Sequence, residues 1–264
     1  MTGAIIHMFW HGPPLSDLER LCMASFVYHG HELRLYSYEP LERVPAGVTE
    51  MDAASVLPAS EIFLTRRKKS LAHFADYFRA VVLHRYGGIW ADTDVVCLQP
   101  LNYASPFILG YEDGERINNA VMGLPAGHQL TQELLKSWDN PCRILPFDDG
   151  RSKRRKWLRR LLPGDPKTRL KWGELGPVGV TQWIRYWQLE DQILPFWHFY
   201  PVPHSHWRSI FDGSLVGNLE FLGNARCLHL WNEMLRRHGI DKNQRFAPDS
   251  LIETLRRRYL PDDC

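Results

Sequence analysis

A helix that closes on paired glycines and feeds a short strand tipped by two acids constrains this chain more than any other feature. Leu71, Phe74, Ala75, Phe78 and Val82 recur at helical spacing. This predicts an amphipathic helix over 71–86 with Gly87 as its C-terminal cap. The apolar residues that follow, Gly88-Ile89-Trp90-Ala91, read as a buried strand, and Asp92 and Asp94 stand one residue apart at its end. On an extended backbone, side chains two apart point to the same face. The two carboxylates are therefore expected to offer hard oxygen ligands to one divalent cation, Mn²⁺ or Mg²⁺, of the kind that carries a phosphorylated substrate. A bare Asp-x-Asp is also what a solvated turn or strand-end cap looks like. The helix, the Gly-Gly turn and the strand before it tilt the reading towards a metal. Asp76 and Arg79, three apart on the helix and off its apolar stripe, belong either to the same rim or to a surface ion pair.

The flanking sequence predicts an α/β fold. Residues 4–10 suit a buried strand, Ser16 with Glu19 makes a capping-box start for a helix to about residue 29, and 32–38 alternate as a second strand. Such a β-α-β opening implies parallel strands. Residues 40–58 are punctuated by Pro and Gly and read as connection, with a short strand expected at 61–64. Further strands are expected at 107–111, 119–124 and 225–231, and helices at 131–138 and 176–187. Trp10-His11-Gly12 and the two acids both end strands, where ligands of open parallel sheets bind. No internal repeat or linker is visible, so the expectation is one domain over 1–264 with a basic insertion at about 142–172.

With 44% hydrophobic and 12% aromatic residues the chain can fill a large core. It has no apolar run of the roughly eighteen residues that span a bilayer, and no secretory signal is visible at its start. The expected location is the cytoplasm or the inner face of the membrane. The five scattered cysteines form no metal-binding pair and read as reduced thiols. A formal charge of +2 gives no reason to expect nucleic acid, and nothing in the pattern sets an oligomeric state. The charge is uneven, however. Residues 151–171 hold ten Lys or Arg and one acid, Asp165, interleaved with Trp157, Leu158, Leu161 and Leu162. That pattern fits a helix lying on anionic lipid, and equally a solvated basic helix. Arg66-Arg67-Lys68-Lys69 reads as a loop to solvent.

Ala75-Asp76-Tyr77-Phe78-Arg79 followed by Tyr86-Gly87-Gly88-Ile89-Trp90-Ala91-Asp92-Thr93-Asp94 resembles the Ser-Asp-x-x-Arg, Tyr-Gly-Gly-Ile-Tyr-x-Asp-x-Asp pattern of glycosyltransferase family 32, with Ala75 in place of the usual serine. That family includes α-1,4-galactosyltransferases, α-1,4-N-acetylglucosaminyltransferases and mannosyltransferases. The resemblance implies a GT-A-type, Rossmann-like mixed sheet flanked by helices, here with a basic helical insertion. By the same resemblance Asp92 and Asp94 would engage ribose and metal, and Asp76 and Arg79 the nucleotide-sugar. Trp10 would lie near the base. Asn118-Asn119, with Gly127-His128, resembles a strand and turn beside the donor sugar, and Gly176-Pro177 a block on the acceptor side. His229-Leu230-Trp231-Asn232 resembles a C-terminal element whose side chain closes the metal sphere. Each residue also has an ordinary structural use: Trp10 as rim packing, Asn118 and Asn119 as a turn, His229 as a core histidine.

The activity so implied is metal-dependent, retaining transfer of a hexose from a nucleotide-sugar to a glycan or lipid-linked oligosaccharide. A UDP-sugar is the expected donor and GDP-mannose the close variant. A metal would stabilise the departing diphosphate, the transition state would be oxocarbenium-like, and no residue stands out as a covalent nucleophile. Two alternatives stay open: a metal-dependent phosphoesterase or nuclease, and a noncatalytic sugar-binding or membrane-docking module that uses the ten tryptophans as platforms.

Overall fold

The computed structural model describes residues 4–66, 69–215 and 222–261. Arg67 and Lys68 of the short basic run, and Cys264, lie outside the described residues. The chain opens with strand β1 (Ile6–Phe9), helix α1 (Asp17–Tyr28) and strand β2 (Leu33–Ser37). The capping box is present: the backbone N–H of Ser16 donates to the Glu19 carboxylate at 3.0 Å, and the Ser16 hydroxyl donates to the same oxygen. Strand β3 (Val48–Asp52) then adds to the parallel edge. It lies inside the stretch expected to be connection, whereas 61–64, the expected strand, holds only the end of a short 3₁₀ turn. As an edge strand with mostly polar, outward residues, β3 lacks the apolar alternation that reveals a buried one.

Helix α2 (Ala72–Tyr86) follows, with Phe74 and Phe78 fully buried. Each such ring contributes about 2 kcal/mol by leaving water. Gly87 closes the helix at φ 66°, its N–H bonded to the Leu83 carbonyl, and a Cβ there would lie 2.7 Å from the Ala126 nitrogen. Only glycine fits both the torsion and the close approach. Strand β4 (Gly88–Ala91) pairs in parallel with β1, so β1, β2, β3 and β4 form the parallel part of the sheet.

Strand β5 (Val95–Cys97) leaves that sheet; β6 (Ile108–Tyr111) and β7 (Ile117–Leu124) return to it antiparallel. The result is a six-stranded mixed sheet in the order β3-β2-β1-β4-β7-β6, the mixed sheet flanked by helices that was expected. Between Ile108↔Gly123 and Gly110↔Asn118 the β6–β7 register shifts, and Asn119 and Ala120 lie within that irregular stretch.

Helices α3 (Gln129–Asp139), α4 (Gly150–Leu161) and α5 (Pro177–Tyr186) come next, then strand β8 (Cys227–His229), paired antiparallel with β5. Helices α6 (Asn232–Arg237) and α7 (Leu251–Tyr259) close the described chain. Neither was expected, although Ser250, which caps α7 by accepting from the Glu253 N–H, repeats the spacing that had revealed α1. The alternation of β1 divides the core between the sheet's two faces: Ile6 and Met8 pack with α1 and α7, Phe9 with α2, α3 and α5. Cys22, Cys97, Cys142 and Cys227 are buried free thiols. No helix among the described residues is long and apolar enough to cross a membrane.

The insertion forms the expected helix, and part of its charge is buried. Asp149 caps α4, and on the helix's inner side Lys156 pairs with Asp148 at 2.7 Å while Arg159 pairs with Glu174 at 2.7 Å and donates to the Pro141 carbonyl. Lys156 and Arg159 are thus buried anchors, not part of an open basic face.

Candidate active site

Asp92 and Asp94 converge, but not by the route expected from an extended strand. The strand ends at Ala91, and Thr93 and Asp94 lie in a turn in which the Val95 N–H returns to the Asp92 carbonyl at 3.0 Å. The turn brings the carboxylates together, and β5, which begins at the next residue, carries the chain to His229. Ligand atoms of Asp92, Asp94 and His229 all lie within 4.8 Å of one another; among the described residues this is the one such group that could hold a metal. Two hard carboxylate oxygens and an imidazole suit Mn²⁺ or Mg²⁺. The imidazole turns Nε2 to the acids, while its Nδ1, on the other side of the ring, is buried without a hydrogen-bond partner.

The Asp92 side is built from α2, β4 and β7. Arg79 donates from Nη2 to Asp92 Oδ1 at 2.6 Å and from Nη1 to the Asn119 carbonyl at 2.6 Å. Trp90 Nε1 donates to the same Asp92 oxygen at 2.7 Å, and the Asp92 N–H donates to the Ala120 carbonyl. The guanidinium also lies over the Trp90 ring at 5.1 Å. Both terminal nitrogens of Arg79 are engaged and its side chain is 5% exposed, against 32% for Asp92. Arg79 is thus occupied by Asp92 and the Asn119 carbonyl. Burial pushes the Asp92 carboxyl up, opposed by the Arg79 guanidinium and reinforced by the Asp94 charge.

Asp76 joins this network through Asn119, whose Nδ2 donates to its Oδ1 at 2.8 Å, and stands 3.5 Å from Arg79. Its other neighbour is Gly176, where a Cβ would lie 2.5 Å from Asp76 Oδ2. The glycine is needed because the carboxylate packs on its bare Cα.

The Asp94 side is built from distant chain. His229 Nε2 lies 3.3 Å from Asp94 Oδ1, the Asn232 N–H donates to Oδ2 at 3.0 Å, and the Leu230 N–H donates to the Asp94 carbonyl at 2.8 Å. Trp231 makes the last two compatible by adopting φ 58°, a left-handed conformation costing a bulky residue roughly 1–2 kcal/mol. Its ring crosses that of His229 edge-on at 4.1 Å and its Nε1 donates to the Val202 carbonyl. Burial alone would raise the Asp94 carboxyl and lower His229. The opposite charges at contact outweigh it, so Asp94 lies below the usual carboxylate range and His229 above the usual imidazole value.

Two predicted residues stand further out. Asn118 turns from Asp76 and donates to Glu112 Oε2 at 2.9 Å, and Glu112 in turn accepts from Arg116. The Glu112 charge adds to the upward pull on His229. Trp10 donates to the Pro13 carbonyl, and Lys242 stands over its ring at 5.2 Å. Lys242 pairs with Glu19, which accepts from Asn232 Nδ2 at 2.9 Å, so Trp10 connects to the Asp94 side through three side chains. Sequence reasoning missed Glu112, Asn232 and Trp90 as supports. Trp90, two residues before Asp92, was findable from strand periodicity, whereas Glu112 had no signal.

Two stretches of the chain match described families. Residues 42–110 match the glycosyltransferase sugar-binding region containing the DXD motif, and 169–261 match the alpha 1,4-glycosyltransferase conserved region. The first holds Asp76, Arg79, Asp92 and Asp94, and the second holds Gly176, His229 and Asn232. Human alpha-1,4-N-acetylglucosaminyltransferase is 23% identical over 201 residues, covering 71% of this chain and 49% of that protein. Rat lactosylceramide 4-alpha-galactosyltransferase is 23% identical over 199 residues, covering 71% and 47%. The chain thus spans about half the length of these curated relatives. A solved PaToxG glycosyltransferase aligns over 98% of this chain and 84% of its own at 13% identity and a TM-score of 0.47.

Proposed function

We propose that this chain, two stretches of which match the DXD-containing sugar-binding region and the alpha 1,4-glycosyltransferase conserved region, is a glycosyltransferase that moves a hexose from a nucleotide-sugar, in a metal-dependent and retaining reaction, to a glycan or lipid-linked acceptor. The observation that carries the proposal is the convergence of Asp92, Asp94 and His229 beside a buried Arg79. A divalent ion held by those three residues would supply the positive charge that a departing nucleoside diphosphate needs.

The protein's own part is orientation. Arg79 and Trp90 fix one Asp92 oxygen and leave the other to a ligand, and the Asn232 N–H does the same for one oxygen of Asp94. Asp76, held by Asn119 against Gly176, is the carboxylate placed to accept hydrogen bonds from sugar hydroxyls. Trp10 offers a flat face for a base once Lys242 moves aside. A UDP-sugar is the favoured donor and GDP-mannose the variant. The two curated relatives are named for alpha linkages to position 4, which supports an α-linked product here and, from an α-linked donor, retention. The two-metal phosphoesterase reading loses ground, since the described residues form a single metal-competent group.

The test is a screen of nucleotide-sugars with Mn²⁺, reading release of the nucleoside diphosphate from the natural chain, Asp92→Asn and Asp94→Asn. One donor should turn over, and both variants should lose that activity. Equal turnover in all three proteins would end the proposal.

A further inference from the structure

Helix α4 turns outward a face that the proposed chemistry does not use. Trp157, Leu158 and Leu161, related by the three- and four-residue spacings that share a helix face, and Leu162, the residue just after the helix, are all exposed, Trp157 by 58% and Leu161 by 61%. Four large apolar side chains left in water together call for a covering surface. Beside them a groove of about 340 Å³ runs along Leu158 and Leu162, lined also by Arg151, Arg154, Arg155, Arg159 and Arg169 and by no acidic residue. At its inner wall Arg155 and Arg159 reach Glu174 and Arg169 donates to the Pro163 carbonyl, while Arg151 and Arg154 face solvent. The face is not a loose one. Lys156 on Asp148, and Arg159 on Glu174 and the Pro141 carbonyl, lock the opposite side of the helix to the body of the protein.

We propose that α4 docks this protein on an anionic lipid bilayer. The occupant follows from charge and shape. An arginine-walled groove with a leucine floor takes a phosphate whose tail is apolar, and Trp157 and Leu161 beside it enter the boundary between headgroups and acyl chains. Anionic phospholipid supplies both parts at once, and a leaflet rich in it carries the negative potential that draws such a cluster. A soluble anion would satisfy the arginines and leave the tryptophan and leucines in water. An acidic protein would need no tail-sized apolar floor.

The helix is also braced towards the candidate site. Glu174, which receives Arg159, lies two residues before Gly176, the position on which Asp76 packs. A docked protein thus holds the Asp76 side of the site through one short segment of chain. Docking itself does not rest on the transfer reading, because binding is measured without turnover.

The test is sedimentation of the full chain with vesicles of phosphatidylcholine alone and of phosphatidylcholine mixed with phosphatidylglycerol. The mixed vesicles should pellet the protein and the neutral ones should not. Arg151→Ser with Arg154→Ser and Arg160→Ser, all exposed and without the buried anchors, should weaken that binding roughly a hundredfold, about fivefold per charge. Trp157→Ser with Leu161→Ser should weaken it roughly tenfold or more and abolish the part that survives high salt. Removing as many charges elsewhere, with Arg236→Ser, Arg237→Ser and Arg257→Ser, should leave binding unchanged. Equal pelleting by neutral and anionic vesicles, or an equal loss in the Arg236, Arg237 and Arg257 variant, would overturn the proposal. So would binding of inorganic phosphate without vesicle binding. Because every substituted α4 residue is solvent-facing, an unaltered melting temperature is expected and separates lost docking from lost fold.

Discussion

Asp92 and Asp94 are separated by one residue, yet they are held by opposite kinds of neighbourhood. The Asp92 side is local: Arg79, thirteen residues back on α2, and Trp90, two residues back on β4, both bind its carboxylate. The Asp94 side is remote: His229 and Asn232 come from the end of the chain, 135 and 138 residues away by the numbering. The local side fixes its acid with a permanent cation in the hydrophobic layer between helix and sheet. The remote side sets its acid against an imidazole, a group that can release its proton to bind metal. One side thus holds its acid with a guanidinium that keeps its charge, the other with an imidazole that can lose it.

That difference can be broken by paired substitutions. Asp92→Asn and Asp94→Asn should each lower transfer by about a thousandfold, since either removes one charge from the metal site. Their stabilities should diverge: Asp92→Asn leaves Arg79 buried with Asp76, at 3.5 Å, as its remaining charge partner, and should lower the midpoint of urea unfolding more than Asp94→Asn, which loses the weaker contact with His229. Equal midpoints would mean the two acids are held alike. Next in size, Arg79→Lys keeps the charge but cannot span Asp92 and the Asn119 carbonyl together, and should cost about 3 kcal/mol of unfolding free energy. If lysine restores full stability, the planar bridge is not what matters.

A smaller effect is expected on the remote side. His229→Gln should weaken Mn²⁺ binding by roughly ten- to a hundredfold in calorimetry and lower the unfolding midpoint about as far as Asp94→Asn does, since both break the same contact. A variant that binds Mn²⁺ as the natural chain does would remove His229 from the site. Smallest, Gly176→Ala should push the Asp76 carboxylate away and lower transfer about tenfold, with little change in Mn²⁺ affinity. A matching fall in metal affinity would show that Asp76 and the metal residues act as one unit.

How much of this was legible in the sequence follows the same division. The helix over Ala72–Tyr86, the Gly87-Gly88 turn and the acids declare themselves because they are consecutive, and their pattern reflects local geometry. Strand β3 escaped because an edge strand carries no buried stripe. The turn at Asp92–Asp94 was mistaken for extended chain because two residues apart looks the same in either. The basic insertion showed its charge but not which cations were anchors, since Lys156 and Arg159 differ from their neighbours only in what packs beneath them.

The sequence by itself determined the parallel opening of the sheet, the amphipathic helix that presents Asp76 and Arg79, and the presence of two acids at a strand end. Periodicity and turn chemistry act over a few residues, and so they can be read there. Only the tertiary structure decided that Asp94 meets His229 and Asn232, that Arg79 is occupied by Asp92 and the Asn119 carbonyl, and that Asn118 turns to Glu112. Those contacts depend on where the β5–β8 pairing and the shifted register of β7 bring distant backbone, and no spacing along the chain encodes that.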